Sequence, residues 1–205
     1  MRDRKIEIAE KVCKLFREFG IKSVTMDDIA RHLSISKKTL YEYFTDKKDL
    51  VKGVMESNSR NKAIDFSIPQ KKKINAIEEL FYYYSVQVQM IRDHKPSFIY
   101  DLKKYYPELY KQFQDVKRQR ILDSVQENLI KGKKEGLYRN DVDESVIARL
   151  NLMRIEGIMN SGTFSFEEMV SPDLFSKIFK YHVYGIVSDK GREIFELELI
   201  KLNNQ

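Results

Sequence analysis

Thr25–Leu50, "TMDDIARHLSISKKTLYEYFTDKKDL", sets three helix starts within twenty-six residues. Thr25 stands three residues before Asp28, a Ser/Thr-x-x-acid spacing that resembles a capping box. The helix it opens carries Ile29, Ala30 and Leu33 and ends at Ser34–Ser36. The Ser36 hydroxyl suits the next N-cap, and Leu40 and Phe44, four residues apart, face inward from the helix that follows. Asp46 caps a third helix, with Asp49 favourable in its first turn. The middle helix is only about two turns long and depends on its neighbours for stability. With Leu40 and Phe44 inward, Lys37, Lys38 and Tyr41 face solvent and Tyr43 lies on a flank. A short, braced helix with a cationic start and free backbone N–H groups suits phosphate, and it fits the major groove of DNA as the second element of a helix-turn-helix.

Upstream, Ile6, Ala9, Val12, Cys13, Phe16 and Phe19 form one apolar stripe at helical spacing, stopped by Gly20. Downstream, helix continues from Lys47 into the early sixties. The polar run Ser57–Lys73 with Pro69 reads as a bend. Ile74, Ile77, Phe81, Tyr84, Val88 and Ile91 then mark one helical face, followed by Pro96. Pro107 opens a helix carrying Leu109, Phe113, Val116, Val125 and Leu129, with Gly132 and Gly136 marking its end. The segment from Asp143 to about Gly162 is apolar over much of its circumference, which calls for burial within or between subunits. Pro172 opens a further apolar helix through Ile186, and "DKGREIFELELIKL" reads as a terminal helix. Clean alternation bounded by turn residues is missing, so the fold class is all-α.

Composition narrows the function. The 205 residues, 42% of them hydrophobic, suffice for a substantial core. Cys13 is the only cysteine, so no intrachain disulfide can form, and it reads as a small core residue. No run approaches the ~20 apolar residues that span a bilayer, so no membrane partner is expected. The N-terminus mixes charges of both signs, unlike a signal peptide. A cytoplasmic location is the expectation. A formal net charge of +6 permits an anionic partner such as nucleic acid. His32, His94 and His182 are far apart and form no metal-ligand spacing; a phosphate loop, a nucleophile elbow and paired cysteines are missing too. An enzyme, a metal site and a resident cofactor are therefore not expected.

"GIKSVTMDDIARHLSISKKTLYEYFTDKKDLV" resembles the DNA-binding segment of the TetR family of bacterial transcriptional regulators, through the Thr25 cap, "DIA" at 28–30, the Ser36 cap, "TLYEYF" at 39–44, and Lys47 before Leu50. "GIVSDKGREIFE" near the other end resembles the way many members finish. The turn departs from the family at Ser34, where glycine is common; serine there carries a penalty if φ must be positive. The resemblance implies a three-helix helix-turn-helix DNA-binding domain at 1–48 and a helical effector-binding and dimerisation domain at 49–205. It implies DNA contacts from Thr25, Ser36, Lys37, Lys38, Thr39, Tyr41, Tyr43 and Lys47. The hydroxyls and Lys47 suit phosphates, and Lys37, Lys38 and Thr39 suit base edges. Arg2, Arg4 and Lys5 could add backbone contacts.

The implied partners are a palindromic operator duplex, a second copy of the chain paired through helices near 143–162 and 172–188, and an unidentified small-molecule effector. The implied mechanism is a ligand-responsive homodimeric repressor. A candidate pocket is drawn from Tyr84, Phe98, Tyr105, Phe113, Met153 and Arg154, although aromatics at helical spacing are more often core than cage. Arg154 and Glu156, in an otherwise apolar helix, either hold a polar ligand group or pair across the dimer. The competing reading is a helical protein-interaction module, or a small-molecule-binding protein that does not read DNA sequence.

Overall fold

The structure, a computed structural model, describes residues 2–61, 72–92, 96–160, 162–169 and 171–203. The bend expected around Pro69 lies outside them. Among the described residues there are eleven helices, and the only β pairing is an isolated bridge between Tyr138 and Val187. In chain order they are α1 (Arg2–Phe19), α2 (Met26–His32), α3 (Lys37–Tyr43), α4 (Lys47–Asn61), α5 (Ala76–Arg92), α6 (Pro96–Tyr105), α7 (Pro107–Lys134), α8 (Glu144–Asn160), α9 (Phe166–Met169), α10 (Pro172–Tyr184) and α11 (Asp189–Asn203). The all-α class is as the sequence predicts. The single-turn α9 has no counterpart in the sequence reading.

The chain divides into two compact units, Met1–Ala63 with His94–Val116, and Ile64–Asp93 with Lys117–Gln205. In the first, the α1 stripe of Ile8, Ala9, Val12, Leu15 and Phe16 packs with Ile29, Leu40, Phe44, Leu50 and Val54. Gly20 ends α1 at φ +82, and its amide donates to Phe16 O at 3.0 Å. Phe98 and Leu102 of α6 join this core, a placement that periodicity alone could not predict. Asp101 of α6 accepts from the Lys22 amide at 2.8 Å, fixing the loop that leads into α2.

In the second unit, Leu129, Leu137, Tyr138, Phe175, Phe179, Val183 and Phe195 form the core with Ile77 and Tyr84 of α5. A buried polar network holds the start of α5. The Tyr138 hydroxyl lies 3.1 Å from Ala76 O and 2.9 Å from Asn128 Oδ1, and the Asn128 amide donates to Ala76 O at 2.9 Å. Lys131 donates to Ile74 O at 2.6 Å and to Glu79 at 2.8 Å, while Tyr83 donates to Glu79 at 2.7 Å. Each buried polar atom of this set has a partner, so the network fixes α5 in register without an unsatisfied group. Gly132 does not end α7, as its residue type suggested. It lies inside the helix because the Tyr138 ring packs where a side chain would stand.

Candidate nucleic-acid interface

The local rules that start α2 and α3 also place their surface side chains. Thr25 is extended and its hydroxyl accepts from the Asp28 amide at 3.2 Å, while Asp28 Oδ2 accepts from the Thr25 amide at 2.9 Å. Both halves of the capping box are present. The Thr25 hydroxyl also donates to Asp28 at 2.6 Å, and this bond holds the Asp28 carboxyl below its ordinary range. α2 closes at Leu33, and Ser34 turns the chain at φ +54. The turn thus takes the left-handed backbone in which glycine carries no penalty and serine does.

Ser36 caps α3, accepting from the Thr39 amide at 2.9 Å, and its hydroxyl is 2.8 Å from that of Thr39. Leu40 and Phe44 are fully buried, so the opposite side of α3 is turned to solvent. Lys37, Lys38 and Tyr41 are exposed on it, Thr39 is half-buried, and Tyr43 packs its ring against the core from the flank. Lys47 opens α4 beside Lys22; its ammonium is 3.5 Å from Lys22 O, and partial burial lowers its pKa. Asp46 caps α4 through a 2.7 Å bond from the Asp49 amide.

One partner was not anticipated. Lys37 Nζ forms a 2.7 Å ion pair with Asp27 of α2, and this bond raises the Lys37 pKa. Positions ten apart on two helices leave no periodic trace, so only the turn geometry reveals the pair. Arg4 and Lys5 lie within α1 and are engaged: Arg4 pairs with Glu7 at 2.6 Å, and Lys5 sits 4.7 Å above the Phe44 ring. His32 is exposed, and among the described residues no group of His, Cys, Asp and Glu could hold a metal ion.

The candidate pocket residues do not gather within one unit. Phe98, buried, and Phe113, partly buried, belong to the core of the first unit, and Tyr105 there lies under the ammonium of Lys22 at 5.2 Å. Tyr84, Met153 and Arg154 belong to the second unit. Tyr84 stacks on Phe179 at 4.5 Å, Met153 is 67% exposed on α8, and Arg154 bonds Asn151. Glu156 is taken by Arg118 at 2.5 Å.

Residues 8–54 match the profile described as "Bacterial regulatory proteins, tetR family". The chain is 29% identical over 153 residues, 60% of its length, to an HTH-type transcriptional regulator of Staphylococcus aureus, and the match covers 80% of that protein. The fold is shared with a transcriptional regulator from Cytophaga hutchinsonii (TM-score 0.72, 18% identity, 91% of this chain and 98% of that one). It is also shared with a TetR-family regulator from Streptomyces coelicolor (TM-score 0.62, 22% identity, 88% and 87%). A capped α2, a positive-φ turn and a cationic α3 turned to solvent are the parts with which such regulators engage DNA, and the profile spans those parts. Residues 8–54 thus carry the DNA-binding segment described for the TetR family of bacterial regulatory proteins, and the chain is a DNA-binding transcriptional regulator similar to its members.

Proposed function

We propose that the protein is a cytoplasmic, ligand-responsive homodimeric repressor that reads a palindromic operator through α3. The proposal rests on the placement of Lys37, Lys38, Thr39 and Tyr41 around a helix whose other side, Leu40 and Phe44, is fully buried. Packing fixes that helix, so its solvent side meets a groove in one orientation. Thr25, Ser36, Tyr43 and Lys47 flank it and serve the phosphates, which set register; Lys37, Lys38 and Thr39 serve base edges. Recognition of DNA therefore belongs to residues 1–48, and effector binding and dimerisation to 49–205. Among the described residues no helix is long and apolar enough to cross a membrane.

Dimerisation is supported by what α8 and α10 leave uncovered. Val146, Leu150 and Met153 of α8, 41%, 52% and 67% exposed, fall on one side of the helix, and Tyr181 of α10 is 84% exposed. Apolar side chains left open in one stripe call for a partner surface. A two-fold dimer presents two α3 helices to half-sites about 34 Å apart. Effector binding favours a conformer in which that spacing fails, and near-complete release needs a preference of about 5.5 kcal/mol between the two states.

The test is selection of bound sequences from randomised duplex DNA at near-physiological salt, followed by the same selection with Lys37→Ala/Lys38→Ala. The expected outcome is a palindrome from the wild type and none from the variant. Unchanged recovery from the variant would remove α3 as the reading helix. Sequence-indifferent binding by the wild type would favour the competing reading, a helical protein-interaction module or a small-molecule-binding protein that does not read DNA sequence.

A further inference from the structure

Arg154 is the least compensated charge among the described residues of the second unit. Its Nε is buried and has no hydrogen-bond partner. Among the described residues its hydrogen bond goes from Nη2 to the side-chain oxygen of Asn151, a neutral group that is itself buried. Glu156, two residues on, is held by Arg118 at 2.5 Å and also faces Lys117, so the nearest carboxylate on its helix is already engaged by cations of α7. Burial holds Arg154 down to about 10, and burial together with the Arg154 charge holds His182 down to about 4. The Arg154 guanidinium is half-buried, and a cation drawn partly out of water in this way is stabilised where an anion meets it. Guanidinium presents a planar fork that matches a carboxylate or phosphate, and an unused Nε–H is one prong of that fork.

We propose that Arg154 of α8 holds the anionic group, carboxylate or phosphate, of a small-molecule effector, with the Asn151 side chain beside it. The proposal rests on the ligand-responsive reading above and names its chemistry. A second copy of the chain is the less favoured source of the anion. The outward stripe of α8 is Val146, Leu150 and Met153, whereas Arg154 bonds Asn151, a buried residue of its own subunit.

The experiment follows the Arg154 Nε–H resonance in the full-length dimer during titration with acetate and, separately, inorganic phosphate, against sodium chloride at matched ionic strength. Arg154→Lys assigns the resonance and keeps the charge; Arg154→Met removes it, with the fold checked by circular dichroism. Expected is a saturable shift with one or both oxyanions and none with chloride, and in isothermal titration calorimetry with the same anions an affinity at least about tenfold lower for Arg154→Met than for the wild type. Should Arg154→Met fail to fold, a loss of similar size in Arg154→Lys, which lacks the fork, stands in its place. A response to acetate alone assigns a carboxylate, and a response to phosphate alone a phosphate. A resonance silent to both anions, or one that moves only when the dimer is diluted to monomer, overturns the proposal. Operator binding is read in the same samples by fluorescence anisotropy. A saturated Nε shift with unchanged operator affinity refutes ligand control and leaves the anion site standing. Release of the operator by a neutral compound, with Nε silent to both anions, overturns the anion site alone.

Discussion

Asp27→Asn is expected to tighten DNA binding by freeing Lys37. In the unbound protein the ammonium of Lys37 sits 2.7 Å from the Asp27 carboxylate, with the two side chains 55% and 57% exposed. A pair this exposed contributes little to folding, so the substitution leaves thermal stability nearly unchanged. At the DNA surface the balance differs. While Asp27 holds Lys37, the pair brings no net charge to the duplex; with asparagine there, the ammonium that meets a base edge also adds one positive charge to the field of the phosphates. Each phosphate neutralised adds about 0.9 to the slope of log K against log salt, so one more contact means about 3.5-fold additional loss between 50 and 200 mM salt. The assay is anisotropy with a labelled operator duplex at four salt concentrations. Asp27→Asn steepens the slope by about 0.9 and binds more tightly at low salt, while Lys37→Ala flattens the slope by a similar amount. The double variant matches Lys37→Ala in slope. If Asp27→Asn instead weakens specific binding at an unchanged slope, Asp27 orients Lys37 for a base edge, and the charge-release reasoning is refuted.

Three further substitutions test the fold around the sites. Ser34→Gly relieves the turn at φ +54 and, after the greater freedom of the unfolded chain is offset, stabilises by about 0.5–1 kcal/mol in urea unfolding; a lower midpoint would show that serine is not strained there. Gly132→Ala places a Cβ 2.1 Å from Tyr138 Cδ2, in a ring held by hydrogen bonds to Ala76 and Asn128, and costs about 2–3 kcal/mol by the same method. For His182 the folded pKa of about 4 lies below the ordinary 6.5, so the unfolded state takes up the proton first as pH falls. Stability is full above pH 6.5 and declines by about 3 kcal/mol toward pH 4. His182→Gln flattens that decline in unfolding curves at stepped pH, and an unaltered decline would assign it to other groups.

The caps at Thr25, Ser36 and Asp46 were legible because an N-cap joins residues three apart in the chain, within reach of a sequence pattern. Pro107 and Pro172 marked helix starts for the same local reason. Phe98 and Leu102 were not legible as part of the first unit's core, because their partners lie tens of residues away and an apolar stripe does not name what covers it. The aromatic row at 82–84 shows the same limit. Tyr83 is committed to Glu79 and Tyr84 to Phe179, and helical spacing could not separate such core roles from a ligand cage. On α3 the outward set followed directly from Leu40 and Phe44, yet Asp27 beside Lys37 depended on how the turn folds two helices together. Arg154 stood out in sequence as a charge in an apolar helix, but that its Nε is buried without a partner among the described residues is visible only in the fold.

The division of labour within α3 bears on how such a protein diverges. Lys37, Lys38 and Tyr41 are exposed, whereas Leu40 and Phe44 are wholly buried, so few positions serve both folding and reading. Under the proposed reading of α3, a gene copy can exchange residues at 37 and 38, acquire a new operator, and keep a folded product throughout. Ser36 and Thr39 are the exception, because their hydroxyls and the Thr39 amide close the helix start while facing the same surface. Mutational drift is therefore free at the outer positions and constrained at the cap, and a lineage can change its target sites without first passing through an unstable ancestor.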